Sequence, residues 1–289
     1  MCCNGPLGAL SLTLIEREGN VAAGIEERLN VHRVGEGPGA PPMIFSHGFG
    51  CDQRMWRFVA PAFAVDHDVV LYDHVGASSS NVADYDPVKY SNLRGYAADL
   101  VELVERLELR DAVFVGHSVA AMIGVVAETL SPGLFSRLVL VAPSARYIDD
   151  PATGYVGGFS SSDIEEMLMA LADNHLGWSA QMAGVIMGNP DRPELAAELE
   201  NSFCQTDPSI AEQFARVTFT SDNREDLRSV ATPCLILQCS ADIVAPEPVG
   251  RYLRDHLSDA VLVQLAARGH CPQLSAPVEV ISAMRSFLG

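Results

Sequence analysis

The chain has 289 residues, of which 48% are hydrophobic, and its net charge is −18 from 19 basic and 37 acidic residues. This length and hydrophobic content are sufficient for one large core, and no run of about 18 apolar residues predicts a membrane span. Because an acidic surface repels phosphate backbones and anionic lipids, the charge argues against partners that are nucleic acids or membranes.

The N-terminus and the cysteines both indicate a cytoplasmic protein. Residues 1–26 are predicted to be an extension of undefined structure. The apolar stretch from Leu7 to Ile15 is interrupted by Ser and Thr, and no Lys or Arg precedes it, so a secretory signal is not expected. The seven cysteines are odd in number and irregularly spaced, without a C-x-x-C motif. This pattern argues against a disulfide framework or a zinc site, and we expect no metal and no cofactor.

Short apolar runs then alternate with helical patterns along most of the chain. Runs of this kind, bounded by Gly, Asp or Ser, are typical of central strands that are buried on both faces. The predicted strands are Met43–Ser46, Val69–Tyr72, Val113–Val115, Leu138–Val141, Cys234–Gln238 and Ala260–Leu265. The predicted helices between them are Ser91–Leu107, Val119–Leu130 and Pro248–His256. The alternation predicts an α/β protein with a parallel, doubly wound sheet.

The alternation breaks between residues 144 and 230, where only helical patterns occur. The four predicted helices are Ser162–Asn174, Trp178–Met187, Pro193–Gln205 and Pro208–Phe219. Because this segment is too long for a loop, we predict a helical cap at 144–230, inserted between core segments 27–143 and 231–289. Such a cap would cover the carboxyl ends of the strands, where α/β proteins bind ligands. Its 15 acidic and 5 basic residues give −10 of the net charge of −18. We interpret this excess of acidic residues as the solvated surface of the helices.

A candidate nucleophile lies between a predicted strand and a predicted helix. Gly116-His117-Ser118-Val119-Ala120 follows the strand and opens the helix, which is the setting of a nucleophile elbow. The turn is tight and needs small residues around the serine. Ala120 stands where the G-x-S-x-G pattern has glycine, and alanine is the smallest substitute. We therefore predict that Ser118 is a nucleophile.

A serine hydroxyl needs an adjacent base, and His270 is the best candidate. His270 follows the last predicted strand, and Asp242 follows the strand before it, where it can orient the imidazole. The order Ser, Asp, His is that of α/β-type serine hydrolases. His117 is the rival base, but as the neighbour of Ser118 within the elbow it is expected to point away. The other histidines, His32, His67, His74, His175 and His256, are interpreted as surface or structural residues.

A glycine-containing loop follows the first predicted strand and is the candidate oxyanion loop. In Ser46-His47-Gly48-Phe49-Gly50, the glycines allow backbone N–H groups to approach a developing negative charge closely. The expected donors are the N–H groups of Phe49 and of Val119, the residue after the nucleophile. A plain glycine turn is the alternative interpretation.

Four strings of residues carry a family resemblance. They are His47-Gly48-Phe49-Gly50-Cys51-Asp52-Gln53, followed by Trp56; Tyr72-Asp73-His74-Val75-Gly76-Ala77-Ser78; Gly116 to Gly124; and Arg268-Gly269-His270-Cys271-Pro272. Together they closely resemble the RsbQ-like α/β-hydrolases of bacteria, a group similar to the plant karrikin and strigolactone receptors. The likeness runs from about residue 27 to the C-terminus. It implies the α/β-hydrolase fold, with a mostly parallel eight-stranded sheet flanked by helices and a V-shaped cap of four helices.

The resemblance also implies a deep apolar pocket and hydrolysis of small esters or lactones, often slow. We expect the pocket to be lined by His47, Tyr147, Phe159, Trp178, Phe219 and Val244. For the bacterial branch, the resemblance implies a stress sigma-factor regulator that works with a partner phosphatase. For the plant branch, it implies butenolide perception. Neither role follows from the predicted catalytic triad of Ser118, Asp242 and His270.

Three functions therefore stay open. The first is an esterase or lactonase that works through an acyl-enzyme. The second is a ligand-sensing signalling protein with the same triad, in which hydrolysis is secondary to partner binding. The third is carbon–carbon bond hydrolysis on the same fold. Dehalogenases and epoxide hydrolases are disfavoured, because they have Asp where Ser118 stands.

Overall fold

Seven strands form one sheet in the computed structural model, which describes residues 24–35, 40–77 and 82–289. The sheet order is β1-β3-β2-β4-β5-β6-β7, and β1, at one edge, pairs antiparallel with β3 while every other pair is parallel. The strands are β1 (His32–Gly35), β2 (Pro42–Ser46), β3 (Asp68–Tyr72), β4 (Ala112–His117), β5 (Phe135–Val141), β6 (Cys234–Ala241) and β7 (Ala260–Arg268). The predicted mostly parallel sheet is confirmed. The described residues form seven strands, whereas the family resemblance implies eight.

The helices follow the predicted alternation. Those of the core are α1 (Ile25–Arg28), α2 (Ala60–Phe63), α3 (Leu93–Arg106), α4 (Val119–Leu130), α9 (Glu247–His256), α10 (Pro272–Ser275) and α11 (Pro277–Leu288). Between β5 and β6 lie α5 (Ser161–Asp173), α6 (His175–Met187), α7 (Pro193–Cys204) and α8 (Pro208–Thr220). These four helices are the predicted cap helices, with bounds that differ by one to three residues. The proposed limit of the extension, residue 26, falls within α1, where Ile25 is buried, and residues 1–23 lie outside the described residues.

The sheet separates two apolar cores. Along β4, Phe114 packs into one core while Val113 and Val115 pack into the other, because successive side chains of a strand point to opposite faces. The first core includes the buried faces of α3, α4 and α9. The second includes α11 and most buried residues of the cap helices, so that the cap residues Trp178 and Phe203 share a core with the central strands, while Phe214 of α8 belongs to the first core.

The parallel strands present their carboxyl ends at one edge of the sheet. Ser46 of β2 pairs with Gly116 of β4, and His117 pairs with Val141 of β5. The loops that leave this edge begin with the residues that carry the predicted chemistry. The fold therefore brings together side chains that are distant in sequence.

The described residues hold no disulfide. Their five cysteines, Cys51, Cys204, Cys234, Cys239 and Cys271, are free thiols. In this part of the chain, no group of three or more His, Cys, Asp or Glu side chains is arranged to hold a metal ion. No helix of residues 24–35, 40–77 or 82–289 is long and apolar enough to cross a membrane.

Candidate active site

Ser118 lies on a strained turn between β4 and α4. Its φ of 56° and ψ of −123° are unusual for a residue with a side chain. The turn has no room for larger neighbours, because a Cβ at Gly116 would lie 2.7 Å from the carbonyl oxygen of Ala120. The Ser118 N–H donates to the Val141 carbonyl at 2.9 Å, which fixes the turn to β5. The nucleophile elbow thus has the predicted strand–turn–helix setting.

The predicted triad residues are hydrogen-bonded to one another. His270 Nε2 lies 2.7 Å from Ser118 Oγ, and His270 Nδ1 lies 2.7 Å from Asp242 Oδ2. The other oxygen, Asp242 Oδ1, accepts the N–H groups of Val244 and Ala245 at 2.8 and 3.1 Å. Since a carboxylate accepts, the Nδ1 atom carries the proton and the Nε2 lone pair faces the serine hydroxyl. This arrangement can draw a proton from Ser118.

The loop that carries His270 is fixed by groups from three elements. Gly269 N–H donates to the Ala241 carbonyl at 2.8 Å, and His270 N–H donates to the Ile186 carbonyl of α6 at 2.9 Å. The His270 carbonyl lies 2.8 Å from His117 Nε2, so this nitrogen carries the hydrogen and donates it. Burial, together with the nearby His270, lowers the pKa of His117 well below its ordinary value, so His117 is neutral. His117 therefore points away from the serine hydroxyl, as predicted, and its hydrogen bond holds the backbone of His270 in place, a role that the sequence did not predict.

Tyr147 is a polar neighbour of the candidate nucleophile. Its hydroxyl lies 3.3 Å from Ser118 Oγ, and its ring packs against Phe219 at 5.0 Å between centroids. Burial raises the pKa of Tyr147 above its ordinary value, so the phenol is neutral. The sequence placed Tyr147 in the pocket wall but contained no sign of this contact, which joins residues 29 positions apart.

The candidate oxyanion donors lie beside the elbow. A Cβ at Gly48 would lie 3.2 Å from Ser118 Cβ and 2.7 Å from His117 Nδ1, so this loop lies directly against the serine. Among the described residues, the N–H groups of Phe49 and Val119 have no hydrogen-bond acceptor. Two unpaired backbone donors next to a nucleophile can bind a developing oxyanion.

The predicted pocket residues divide into two groups. Trp178, Phe219, Tyr147 and Val244 are buried in the same apolar core, and Phe159, half-buried, packs against it. His47 occupies another position, because its ring is completely buried and both of its nitrogens lie at hydrogen-bond distance from backbone groups. Its imidazole thus has no nitrogen left for a ligand.

Phe49 is the centre of an aromatic cluster between the oxyanion loop and the cap. Its ring centroid lies 5.8–6.2 Å from those of Phe214, Phe203, Phe219 and Trp178. Phe203 and Phe214 were not predicted to lie here. Their apolar spacing on α7 and α8 showed a buried helix face, but not which surface that face covers. The cluster makes the surroundings of Ser118 apolar and aromatic.

Comparisons with known proteins identify a family and several similar proteins. The model of a family described as "Alpha/beta hydrolase family" matches residues 43–283. Strigolactone esterase D14 of Arabidopsis thaliana is 37% identical over 91% of this chain and 97% of its own length. Karrikin insensitive 2 receptor CA of Petunia hybrida is 35% identical over 90% of this chain and 95% of its own length. The structure of a hydrolase from Oleispira antarctica is similar with a TM-score of 0.87 and 34% identity, covering 91% of this chain and 96% of that one.

Proposed function

This chain belongs to the alpha/beta hydrolase family and is an ester or lactone hydrolase, and we propose that it acts through an acyl-enzyme formed on Ser118. The observation that carries the proposal is the pair of 2.7 Å hydrogen bonds that link Ser118 Oγ to His270 and His270 to Asp242. A serine hydroxyl near neutral pH becomes an effective nucleophile when a base at hydrogen-bond distance accepts its proton.

Acylation begins when Ser118 Oγ attacks the carbonyl carbon of the substrate and its proton moves to His270 Nε2. The carbonyl oxygen becomes an oxyanion and accepts hydrogen bonds from the Phe49 and Val119 N–H groups. Asp242 stabilises the imidazolium without taking the proton. The bond from the carbonyl carbon to the alkoxy oxygen then breaks, and this oxygen takes the proton from His270 Nε2.

Deacylation uses the same groups with water as the nucleophile. His270 Nε2 accepts a proton from water, whose oxygen attacks the acyl carbon. The tetrahedral intermediate collapses when the bond to Ser118 Oγ breaks, and Oγ recovers its proton from His270. The products are a carboxylic acid and an alcohol, or one hydroxy acid when the substrate is a lactone.

The surroundings of Ser118 favour a small, mostly apolar and neutral substrate. The aromatic cluster around Phe49 offers apolar contacts, and Tyr147 adds one neutral hydroxyl. Binding sites with apolar walls and few polar groups select ligands of matching polarity. The charge of −10 over residues 144–230 disfavours an anionic substrate.

The proposal is tested by turnover of p-nitrophenyl acetate and a series of butenolides. We expect Ser118→Ala to lower kcat by at least about 10⁴-fold, because the nucleophile is lost. Ser144→Ala is the matched control, since Ser144 is also buried but donates to the Arg146 carbonyl. Wild-type protein that neither turns over these substrates nor reacts with a fluorophosphonate would refute the proposal.

A second candidate function is ligand sensing, favoured by the hydrogen bond from His270 N–H to the Ile186 carbonyl of the cap. Through this bond, a change at His270 can be transmitted to α6. In this role hydrolysis is slow, and the protein is an RsbQ-like regulator that binds a signalling phosphatase. Ligand-dependent hydrogen exchange in α6, together with ligand-dependent capture of a regulatory phosphatase from the source cell, would support it. Capture that does not depend on ligand would contradict it.

A further inference from the structure

The rings of two buried histidines bond to the backbone of the oxyanion loop, here defined as residues 47–50, of which His47 is the first. His47 Nδ1 lies 2.9 Å from the Gly48 carbonyl oxygen, and the His74 backbone N–H lies 3.0 Å from His47 Nε2. His74 Nε2 in turn lies 3.0 Å from the His47 carbonyl oxygen. The two rings meet edge to face with their centroids 4.5 Å apart. The pair thus holds both carbonyl groups at the start of the loop.

The backbone partners determine where the imidazole hydrogens are. The His74 N–H can only donate, so His47 Nε2 accepts and His47 Nδ1 carries the hydrogen that it donates to the Gly48 carbonyl. By the same reasoning His74 Nε2 donates to the His47 carbonyl. Burial and the neighbouring His47 lower the pKa of His74 well below its ordinary value, so His74 is neutral.

The Gly48 carbonyl shares a peptide unit with the Phe49 N–H. In a planar trans peptide the C=O and N–H bonds point in opposite directions, and the described residues contain no cis peptide. When His47 Nδ1–H binds the Gly48 carbonyl on one side of the loop, the Phe49 N–H must point to the other side. The opposite orientation would place a carbonyl oxygen where the oxyanion develops.

A buried polar cluster fixes Asp73, which directly precedes His74, the residue whose backbone N–H donates to His47 Nε2. Asp73 Oδ1 lies 3.8 Å from His47 Nε2 and accepts the Gln53 N–H at 2.7 Å. Asp73 Oδ2 accepts hydrogen bonds from Asn30 Nδ2 and Gln53 Nε2 at 2.7 and 3.1 Å. Because these partners come from the loop after β2 and from the segment before β1, they tie the backbone at Asp73 and His74 to several elements, and the His47 imidazole cannot turn without breaking its bonds to the Gly48 carbonyl and the His74 N–H.

We propose that His47 is a positioning residue of the oxyanion hole, which fixes the Gly48–Phe49 peptide so that the Phe49 N–H faces the reacting carbonyl. The inference rests on the proposed acyl-enzyme function, since this orientation matters only when a tetrahedral adduct forms on Ser118. His47 touches no reacting atom and acts through the loop.

The test compares His47→Leu, which removes the Nδ1 donor, with His47→Asn, whose amide N–H can reach the Gly48 carbonyl. We expect His47→Leu to lower kcat for p-nitrophenyl acetate by about 10- to 100-fold with little change in KM, since loss of one oxyanion donor costs about 100-fold or more. His47→Asn should retain most of the activity. His256→Leu is the matched control, because His256 Nδ1 also lies at hydrogen-bond distance, 2.8 Å, from a backbone carbonyl, that of Tyr252 on α9.

A second measurement separates positioning from a general loss of structure. A trifluoromethyl ketone forms a tetrahedral adduct with Ser118, whereas the corresponding methyl ketone binds without an adduct. His47→Leu should weaken the affinity for the trifluoromethyl ketone by the same factor by which it lowers kcat. It should leave the affinity for the methyl ketone unchanged. If His47→Leu does not fold, His47→Gln replaces it, because the longer side chain carries its amide beyond the Nδ1 position.

Two results would overturn the inference: unchanged kcat and trifluoromethyl ketone affinity in the folded variants, or equal loss of affinity for both ketones. A wild-type protein whose Ser118 is never acetylated would instead refute the proposed function. The two failures are therefore distinguishable.

Discussion

The backbone of Ser118 is held in a conformation that costs energy. A non-glycine residue with a positive φ such as 56° is disfavoured by about 1–3 kcal/mol. The surrounding turn supplies the restraint, because Gly116 and Ala120 allow α4 to begin immediately after β4, and the Ser118 N–H is bound to β5. The Ser118 hydroxyl therefore lies at hydrogen-bond distance from His270, while the Val119 N–H stays free to bind an oxyanion.

The contact between Tyr147 and Ser118 yields a residue-scale prediction. Tyr147→Phe removes the hydroxyl that lies 3.3 Å from Ser118 Oγ and keeps the ring against Phe219. Because one hydrogen bond between neutral groups contributes about 0.5–1.5 kcal/mol, we expect kcat/KM for p-nitrophenyl acetate to fall by about 2- to 10-fold.

The pH profile provides the check on this prediction. Burial keeps the pKa of Tyr147 above its ordinary value of 10.0, so the hydroxyl stays protonated in neutral and mildly alkaline solution. The ratio of wild-type to Tyr147→Phe activity should therefore be constant over that range. A ratio that falls toward one as the pH rises from neutral would show a titrating phenol and contradict the assignment.

At the residue scale, the sequence predicted the members of the triad but not their supports. Ser118, Asp242 and His270 were identifiable because each follows an apolar strand, and parallel strands end at a common edge. The contacts of His117 with the His270 carbonyl and of His47 with its own loop depend on side-chain orientation, which residue spacing does not determine. For this reason the sequence predicted His47 as a pocket residue, whereas the structure shows both of its ring nitrogens bonded to backbone groups.

At the element scale, hydrophobic runs predicted the strands that are buried on both faces. All six residues of β4 are buried, and the run Val113–Val115 was sufficient to locate it. Strand β1 was not predicted, because its four residues are exposed and it forms an edge that pairs with β3 alone. An exposed edge strand has no apolar pattern to mark it.

The contact between the end of α6 and the histidine loop yields a second prediction. Gly188 has a φ of 63°, and a Cβ there would lie 2.8 Å from the Cα atom of Gly269. Gly188→Ala should displace the loop that carries His270 and lower kcat by about 10-fold or more, since small misplacements of catalytic groups are costly. It should also lower the stability by about 1–2 kcal/mol through backbone strain. Steady-state kinetics and urea unfolding measure the two effects.

Gly184→Ala is the matched control on the same helix. Gly184 is helical, and a Cβ there would meet no atom within 4 Å. Because alanine favours a helix over glycine, this variant should gain about 0.5–1 kcal/mol of stability with unchanged kcat. Equal kinetics for the two variants would contradict the coupling of α6 to His270.

At the scale of the whole molecule, the cap and the core are joined where the chain leaves β5 and returns to β6. Arg146 and Asp222 form a bridge between the two crossing segments and an ion pair at 2.7 Å. Arg224 pairs with Asp222 at 2.7 Å and with Asp150 at 3.0 Å. These ion pairs tie together the two segments that connect the cap helices to β5 and β6.

This cluster predicts a pH-dependent part of the stability. Burial acts to raise the pKa of Asp222, but hydrogen bonds from Arg224 and Arg146 outweigh it and lower the pKa below the ordinary 3.8. The stabilisation is therefore fully present above 3.8 and is lost as the pH falls through the folded-state value. Asp222→Asn should cost less than about 1 kcal/mol at neutral pH, because the pair is partly exposed.

Urea unfolding at a series of pH values measures this difference. The gap between wild type and Asp222→Asn should close in acid, whereas Asp255→Asn, whose carboxylate bonds only the adjacent Arg254, should show little effect at any pH. A gap that widens as the pH falls would contradict the sign of the shift.

Detection of the acyl-enzyme tests directly whether Ser118 is the nucleophile. The protein is mixed with p-nitrophenyl acetate, quenched in acid within the first turnover, digested and analysed by mass spectrometry. We expect one acetyl group on the peptide that contains Ser118, in proportion to the p-nitrophenol released, and none in Ser118→Ala. Turnover of the ester with Ser118 unmodified throughout would contradict it.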